Sequence, residues 1–285
     1  MSILSAQQST SDIGAGGASL FGSDEPSPVE TIAAVADPFV FVCEHAGNRM
    51  PHALGDLGLP AWNFERHIAF DPGAAPMTRG LAHRFGGAAV LQVYSRLVID
   101  CNREPSLADA ITTLSEDTAI PGNAGLGKVE RDARIDAVWS PFHRALEQLI
   151  DARLASGRPT ILVTLHSFTP VYRGIARPWH VGIIQAGDRS LAEPMLAALA
   201  ADPALVVGDD EPYSAKDNVD YTIRRHGRLR GLPHVMIEVR NDLLRNSAAI
   251  ESWVARLGDA LARSAARLGI AVRDGIAVRD GDCAG

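Results

Sequence analysis

Two apolar runs in this sequence stop on a histidine. FVFVC (39–43) leads through Glu44 to His45, and TILVTL (160–165) runs straight into His166. Short apolar runs rich in β-branched residues read as buried strands. Two strand ends that each offer an imidazole, joined by a carboxylate, make a three-ligand metal site with one open position. A metal held that way acidifies water and polarises a carbonyl. Taken singly, a strand-end His bonded to backbone is the ordinary alternative. A third run, VMIEV (235–239), holds Glu238 among apolar neighbours. An ionised carboxylate is costly there unless it is paired or at work. Glu238 therefore reads as a general base, or as half of a buried ion pair with one of the many arginines.

The third ligand has a candidate in HIAFDPGA (67–74). Asp71 before Pro72 is also an ordinary helix start, Asp as N-cap and Pro at the first helical position. Both roles stay open, because a carboxylate has two oxygens. In YSRLVIDCNR (94–103), Arg96, Asp100, Asn102 and Arg103 bracket an apolar stretch. One arginine of that pair suits bidentate capture of a substrate carboxylate, and the other an ion pair with Asp100 that locks the loop. RRHGRLRG (224–231) is a solvated basic loop by default, and His226 or an arginine from it is a candidate oxyanion stabiliser. There is no GxSxG. Cys43, on the same strand face as His45, reads as a buried strand cysteine before a nucleophile.

The elements that must position these residues alternate in type. Strands are expected at 39–43, 88–94, 97–100, 160–165, 181–185 and 235–239, and helices at 73–85, 139–155, 190–201 and 246–268. Such alternation gives an α/β domain, a three-layer sandwich in which helices cover both faces of a mostly parallel mixed sheet. In open α/β sheets ligands sit beyond the carboxyl ends of the strands, where His45 and His166 fall. Residues 1–36 read as a tail, with only a helical turn at 31–35 orderable. The hydrolase domain spans 37–275 and a short tail 276–285. The span 104–138 is long and irregular, and GIAVRD occurs twice in tandem (269–280), one copy a candidate edge strand.

Hydrophobic residues make up 46% of the 285 and charged residues 21%, a globular balance. The net charge of −7 argues against nucleic-acid or anionic-membrane partners. Three cysteines without a CxxC, and no apolar stretch of about 18 residues, point to a cytoplasmic protein without a membrane span.

The segments EHAGN, HIAFDPGA, SRLVIDCNR, LHSFTP and IEVRNDLL together resemble the N-formylglutamate amidohydrolase family over about residues 38–265. The resemblance implies a zinc-carboxypeptidase-like fold and hydrolysis of N-formyl-L-glutamate to formate and L-glutamate, the last step of one histidine-degradation route. It implies one Zn2+ held by His45 and His166, with Glu238 as the catalytic carboxylate and His226 or an arginine meeting the oxyanion. Arg96, Asn102, Arg103, Arg240, Asn48 and Ser167 are then the substrate contacts. One position departs from the related carboxypeptidase pattern, in which a Glu stands three residues after the first ligand. Asn48 stands there instead, a poor zinc ligand. The third ligand then falls to Asp71, with Glu44 as the reserve. Two other readings stand beside this one: an amidase for another N-acyl amino acid, and an anion-binding domain that has lost its metal.

Overall fold

All five residues of FVFVC are buried. Phe39, Phe41 and Cys43 enter one core, while Val40 and Val42 enter another, as the alternation of strand side chains requires. A strand apolar on both faces must lie inside a covered sheet. In the computed structural model, which describes residues 20–34, 38–213 and 220–272, it does.

The strands are β1 (Val29–Ile32), β2 (Phe39–Cys43), β3 (Ala88–Gln92), β4 (Leu114–Ser115), β5 (Thr118–Ala119), β6 (Ile161–Phe168), β7 (Val171–Tyr172), β8 (Ile175–Ala176), β9 (Val181–Ile184), β10 (Val207–Asp209) and β11 (His234–Arg240). Seven of them form one mixed sheet in the order β1-β3-β2-β6-β11-β9-β10. The β1–β3 and β9–β11 pairs are antiparallel and the other four parallel. Helices α1 (Ala74–Phe85), α4 (Ala192–Ala200) and α5 (Ser247–Arg267) cover one face through Met77, Leu81, Met195, Leu257 and Leu261. Helix α3 (Ser140–Ala155) covers the other through Phe142, Leu146 and Ile150. A shorter helix, α2 (Lys128–Arg134), precedes it. The chain leaves β2 for β3 on one side and returns to β6 on the other, so the order reverses between β2 and β6. That is the crevice in which an open α/β sheet binds ligands.

Four stretches differ from the sequence expectation. Residues 29–32 form the edge strand β1, with Val29 opposite Gln92, where a helical turn at 31–35 was expected. Val29, Thr31 and Ile32 are β-branched, and β3 offers them a free edge. Leu20 and Phe21, inside the expected tail, pack on the same domain. LVID (97–100) is not a strand, because side chains take up its backbone carbonyls. Asn123 Nδ2 donates to Leu97 O at 2.9 Å, and Arg134 Nη1 to Val98 O at 3.1 Å. Within 104–138, α2 and the β4–β5 hairpin replace the irregular loop. Of the GIAVRD repeat only 269–272 lies within the described residues, and it is not a strand there.

Candidate active site

His45 stands two residues past the end of β2, and His166 is the sixth residue of β6. Because β2 and β6 are adjacent and parallel, both rings reach the same crevice. His166 Nδ1 lies 3.2 Å from His45 Nδ1 and 2.8 Å from Asp71 Oδ2, and His45 Nδ1 is 3.2 Å from the same Asp71 oxygen. All three residues are buried, and their donor atoms form one close group that could hold a metal ion. Donors around a tetrahedral zinc at 2.0–2.1 Å are spaced by about 3.3 Å, close to the separations found.

The outer faces of both rings argue for a cation at the inner faces. His45 Nε2 meets Asp100 Oδ1 at 2.7 Å. His166 Nε2 lies 3.1 Å from Glu44 Oε2, a close contact without linear hydrogen-bond alignment. A carboxylate on Nε2 holds the proton there and leaves Nδ1 as a lone pair, the arrangement typical of metal-ligating histidines. With the protons on Nε2, two such lone pairs and a carboxylate oxygen face one another; with no metal there, a proton on His166 Nδ1 is placed to donate to Asp71 Oδ2 at 2.8 Å. The charges agree. Burial raises the carboxyls of Glu44, Asp71 and Asp100, but neighbouring positive charge and hydrogen bonds outweigh it: His166 at Glu44, His45 and His166 at Asp71, Arg96 and His45 at Asp100. All three are held below the usual carboxylate range. Burial disfavours a charged His166, yet Glu44 and Asp71 push its pKa well above the ordinary value. Three ionised carboxylates outnumber the guanidinium of Arg96, which bonds Asp71 and Asp100, and a charged His166 ring offsets part of the excess. A cation bound at the two Nδ1 atoms would take over that role from the ring proton.

Asp71 does not cap α1. The N-cap is Gly73, with φ +85 and no side-chain cap bond. A Cβ at Gly73 would lie 2.5 Å from Leu244 Cβ, so this left-handed, crowded turn admits glycine alone. The Asp71 carboxylate is thereby free to face the histidines. Its backbone N–H donates to His45 O at 3.0 Å, and Ser167 N–H points at Oδ2 from 3.4 Å. Ser167 Oγ donates to Pro72 O at 2.7 Å, so Ser167 steadies the Asp71 turn. Gly47 serves a second close approach. A Cβ there would sit 2.0 Å from Val93 O, and its absence lets Arg49 bridge to Tyr94.

Glu238 pairs in register with His166 across the parallel β6–β11 ladder, so both side chains emerge on one face of the sheet. Its Oε2 is buried without a hydrogen-bond partner. Burial pushes its carboxyl up to about 8; His166 opposes the rise and Asp71 and Asp220 add to it. No arginine is bonded to it among the described residues, so the ion-pair alternative for Glu238 has no partner here. Nearby, burial lifts the Asp220 carboxyl to about 6 and the Tyr213 hydroxyl to about 12.

These groups line a cleft of about 370 Å³, within the size range of small-molecule sites. His45, Asp71, Arg96, Asn102, Arg103, His166, Ser167 and Glu238 all lie on its wall. Three expected residues do not. Asn48 donates to Phe64 O at 2.9 Å instead. Arg240 is bound to Asp242 at 2.8 Å and to the carbonyls of the 177–179 turn. His226 is buried behind the cleft, stacked on His143 at 5.2 Å with 7° between the rings. Its Nε2 contacts His143 Nδ1 at 3.0 Å. Burial, together with His143, drives the His226 pKa down to about 3, and burial drives that of His143 to about 4. A neutral, enclosed ring is not placed to meet an oxyanion. Glu44 stands on the outer side of His166, not beside Asp71, so it faces that ring's Nε2 and not the inner group. Sequence reading passed over Arg173, Tyr213 and Asp220 on the cleft wall. Only Arg173 left a signal, an Arg-Gly pair between VY and IA that marks a tight hairpin.

A family model described as N-formylglutamate amidohydrolase matches residues 37–245. The crystal structure of gene product Atu2144 from Agrobacterium tumefaciens is similar at TM-score 0.85 and 39% identity, over 88% of this chain and 99% of that one. N-formylglutamate amidohydrolase from Ralstonia eutropha JMP134 is similar at TM-score 0.61 and 17% identity, over 86% of this chain and 100% of that one. That second likeness is one of fold. No curated protein matches the chain. Among the described residues no helix is long and apolar enough to cross a membrane.

Proposed function

The chain belongs to the N-formylglutamate amidohydrolase family, and from that premise we propose that it is a zinc-dependent amidase that hydrolyses N-formyl-L-glutamate to formate and L-glutamate. As a member of the family it is an amide-hydrolysing enzyme acting on a small molecule. The observation that carries the finer reading is the convergence of His45 Nδ1, His166 Nδ1 and Asp71 Oδ2, with Glu238 beside them on the same face.

His45, His166 and Asp71 are the residues that would hold the metal, Asp100 and Glu44 the groups that orient the two rings. A Zn2+ there supplies Lewis acidity, favouring ionisation of water and polarising the formyl carbonyl. Glu238 accepts a proton from the attacking water. It then delivers that proton to the leaving amine nitrogen, so the carboxylate is regenerated each cycle. Its carboxyl, buried and without an ion-pair partner among the described residues, is made more basic than an ordinary carboxylate, as the proton transfer requires. Asn102 and Arg103 stand on the wall beside Asp100, where an α-carboxylate near the scissile amide can be received. The reaction would close one route of histidine breakdown. A cytoplasmic setting fits Cys43 and Cys101, both buried and unpaired.

The test is release of the free amino acid from N-formyl-L-glutamate by metal-loaded protein, set beside N-formyl-L-methionine and N-acetyl-L-glutamate. Preference for the first by at least tenfold in kcat/KM is expected. Preference for N-acetyl-L-glutamate would reassign the substrate within the same chemistry, and full activity in metal-free protein would overturn the zinc reading.

A further inference from the structure

Three arginines line the cleft and a fourth, Arg66, adjoins it; all but Arg173 are engaged by the protein itself. Arg96 is held by Asp71 and Asp100. Arg103 Nε faces Asp109 at 3.5 Å, and its Nη1 donates to Asn102 O at 3.2 Å. Arg66, on the adjoining surface, pairs with Glu116 at 3.2 Å. Arg173 differs. It lines the cleft and also the outer groove beside Glu116 and Asp117, so it stands where the cleft opens to the surface. Among the described residues its guanidinium has no carboxylate or carbonyl partner, only the ring of Tyr172 at 5.4 Å beneath it.

Its backbone makes the placement more pointed. Tyr172 pairs with Ile175, so Arg173 and Gly174 are the two-residue loop of the β7–β8 hairpin. Their φ values are +49 and +77. A two-residue loop with both centres at positive φ is the type I′ turn, whose first position favours Asn, Asp or Gly. Arginine is a poor choice for that backbone, and such misfits gather where a side chain serves a ligand.

We propose that Arg173 is the specificity residue of the cleft: it receives the carboxylate of the substrate remote from the scissile amide, and so selects acidic N-acyl amino acids. This inference rests on the amidase reading. The inner wall, with Arg96 tied down and Arg103 next to Asn102, serves the end near the reacting carbon. A free fork at the mouth meets the other end. Guanidinium and carboxylate pair in two parallel hydrogen bonds; the fork is planar of itself, and the Tyr172 ring lies beneath it at 5.4 Å.

Three variants test it. Arg173→Asn suits the turn, Arg173→Met keeps the stem, and Arg173→Lys keeps the charge without the fork. For Asn and Met, KM for N-formyl-L-glutamate should rise about 10- to 100-fold, the worth of one charge-assisted pair, with kcat within about threefold. KM for N-formyl-L-glutamine, which lacks the remote carboxylate, should change less than about threefold. Arg173→Lys should fall between. A merely structural role predicts a lower Tm in Arg173→Asn; the proposal predicts an unchanged or higher one. Equal losses on both substrates, or an unchanged KM for N-formyl-L-glutamate, would overturn it. Calorimetric binding of glutarate to the metal-loaded protein separates the two readings. If wild type binds glutarate and Arg173→Asn does not, the anchor stands even should no formyl amide be cleaved. Equal glutarate affinity in both refutes the anchor whatever the enzyme hydrolyses.

Discussion

Asp100→Asn tests the claim that carboxylates behind the histidines prepare them for a metal. Asp100 Oδ1 accepts from His45 Nε2 at 2.7 Å and from the Asn102 N–H at 2.8 Å, while Oδ2 pairs with Arg96. An amide at this position cannot satisfy all three. If its oxygen stays on His45 and Asn102, its NH2 group faces the guanidinium. If it turns, NH2 faces His45 Nε2, which must then give up its proton to Nδ1, the atom a metal needs. Losing such an outer carboxylate typically costs 10- to 100-fold in metal affinity, about 1.4–2.7 kcal/mol. Glu44→Gln should cost less, because the 3.1 Å contact of Glu44 with His166 is poorly aligned. The Arg96 side chain is 24% exposed, so the loss of its pair should lower stability by only about 1–3 kcal/mol. The assay is titration of metal-free protein with Zn2+ against a competing chelator, with thermal melts of the metal-free proteins alongside. The expected order of affinity is wild type, then Glu44→Gln, then Asp100→Asn. Wild-type affinity in a folded Asp100→Asn protein would refute the charge argument for the site.

Glu238→Gln preserves shape and removes the base. It should bind zinc as wild type does and lose 10²–10⁴-fold in kcat, measured by single-turnover formate release. The His143–His226 stack sets an acid limit on stability. Both rings are neutral in the fold, with pKa values lowered to about 4 and about 3, against 6.5 in the unfolded chain. Below pH 6.5 the unfolded chain takes protons that the fold refuses. Stability is therefore complete above 6.5, falls by several kcal/mol on the way to about 4, and levels off below about 3. His226→Phe keeps the stack with one group fewer to titrate. Its urea unfolding should show a shallower slope between pH 6.5 and 4, and an unchanged slope would exonerate the pair. Arg134, buried, holds Val98 O, Asn123 Oδ1 and Gly122 O. Arg134→Met should destabilise by about 3–5 kcal/mol, read by urea unfolding, and loosen the loop that carries Arg96 and Asp100, read as faster amide exchange at 96–103.

How much of this was legible in the chain follows from how local each signal is. His45, His166 and Glu238 are readable because each is a polar residue that breaks or closes an apolar run, although β6 continues past His166 to Phe168 and β11 past Glu238 to Arg240. Asp71 was readable as a candidate but not as a choice, since Asp-Pro also starts helices; Gly73 takes the cap position itself and so removes that alternative role. The partnerships of Asp100 with His45 and Glu44 with His166 span 55 and 122 positions, and no spacing rule reports a contact between loops so far apart. LVID misled because apolar β-branched runs fill cores as readily in loops as in strands. His226, in a run rich in arginine, read as exposed, whereas the wide turn Ile223–Gly227 carries its ring inward against α3.

The pairing of Glu238 with His166 in a parallel ladder has a consequence for descent. Side chains in a strand alternate sides, so their placement is a matter of odd and even. Inserting or deleting one residue between Val235 and Glu238 would turn the carboxylate to the α1 and α5 side of the sheet; two residues would slide it about 6.6 Å along the strand. Substitutions can drift through this strand by small steps, but a change of length cannot. Among active descendants, gains and losses of residues should therefore be confined to the turns between strands, with the count from His234 to Glu238 kept as a heritable number.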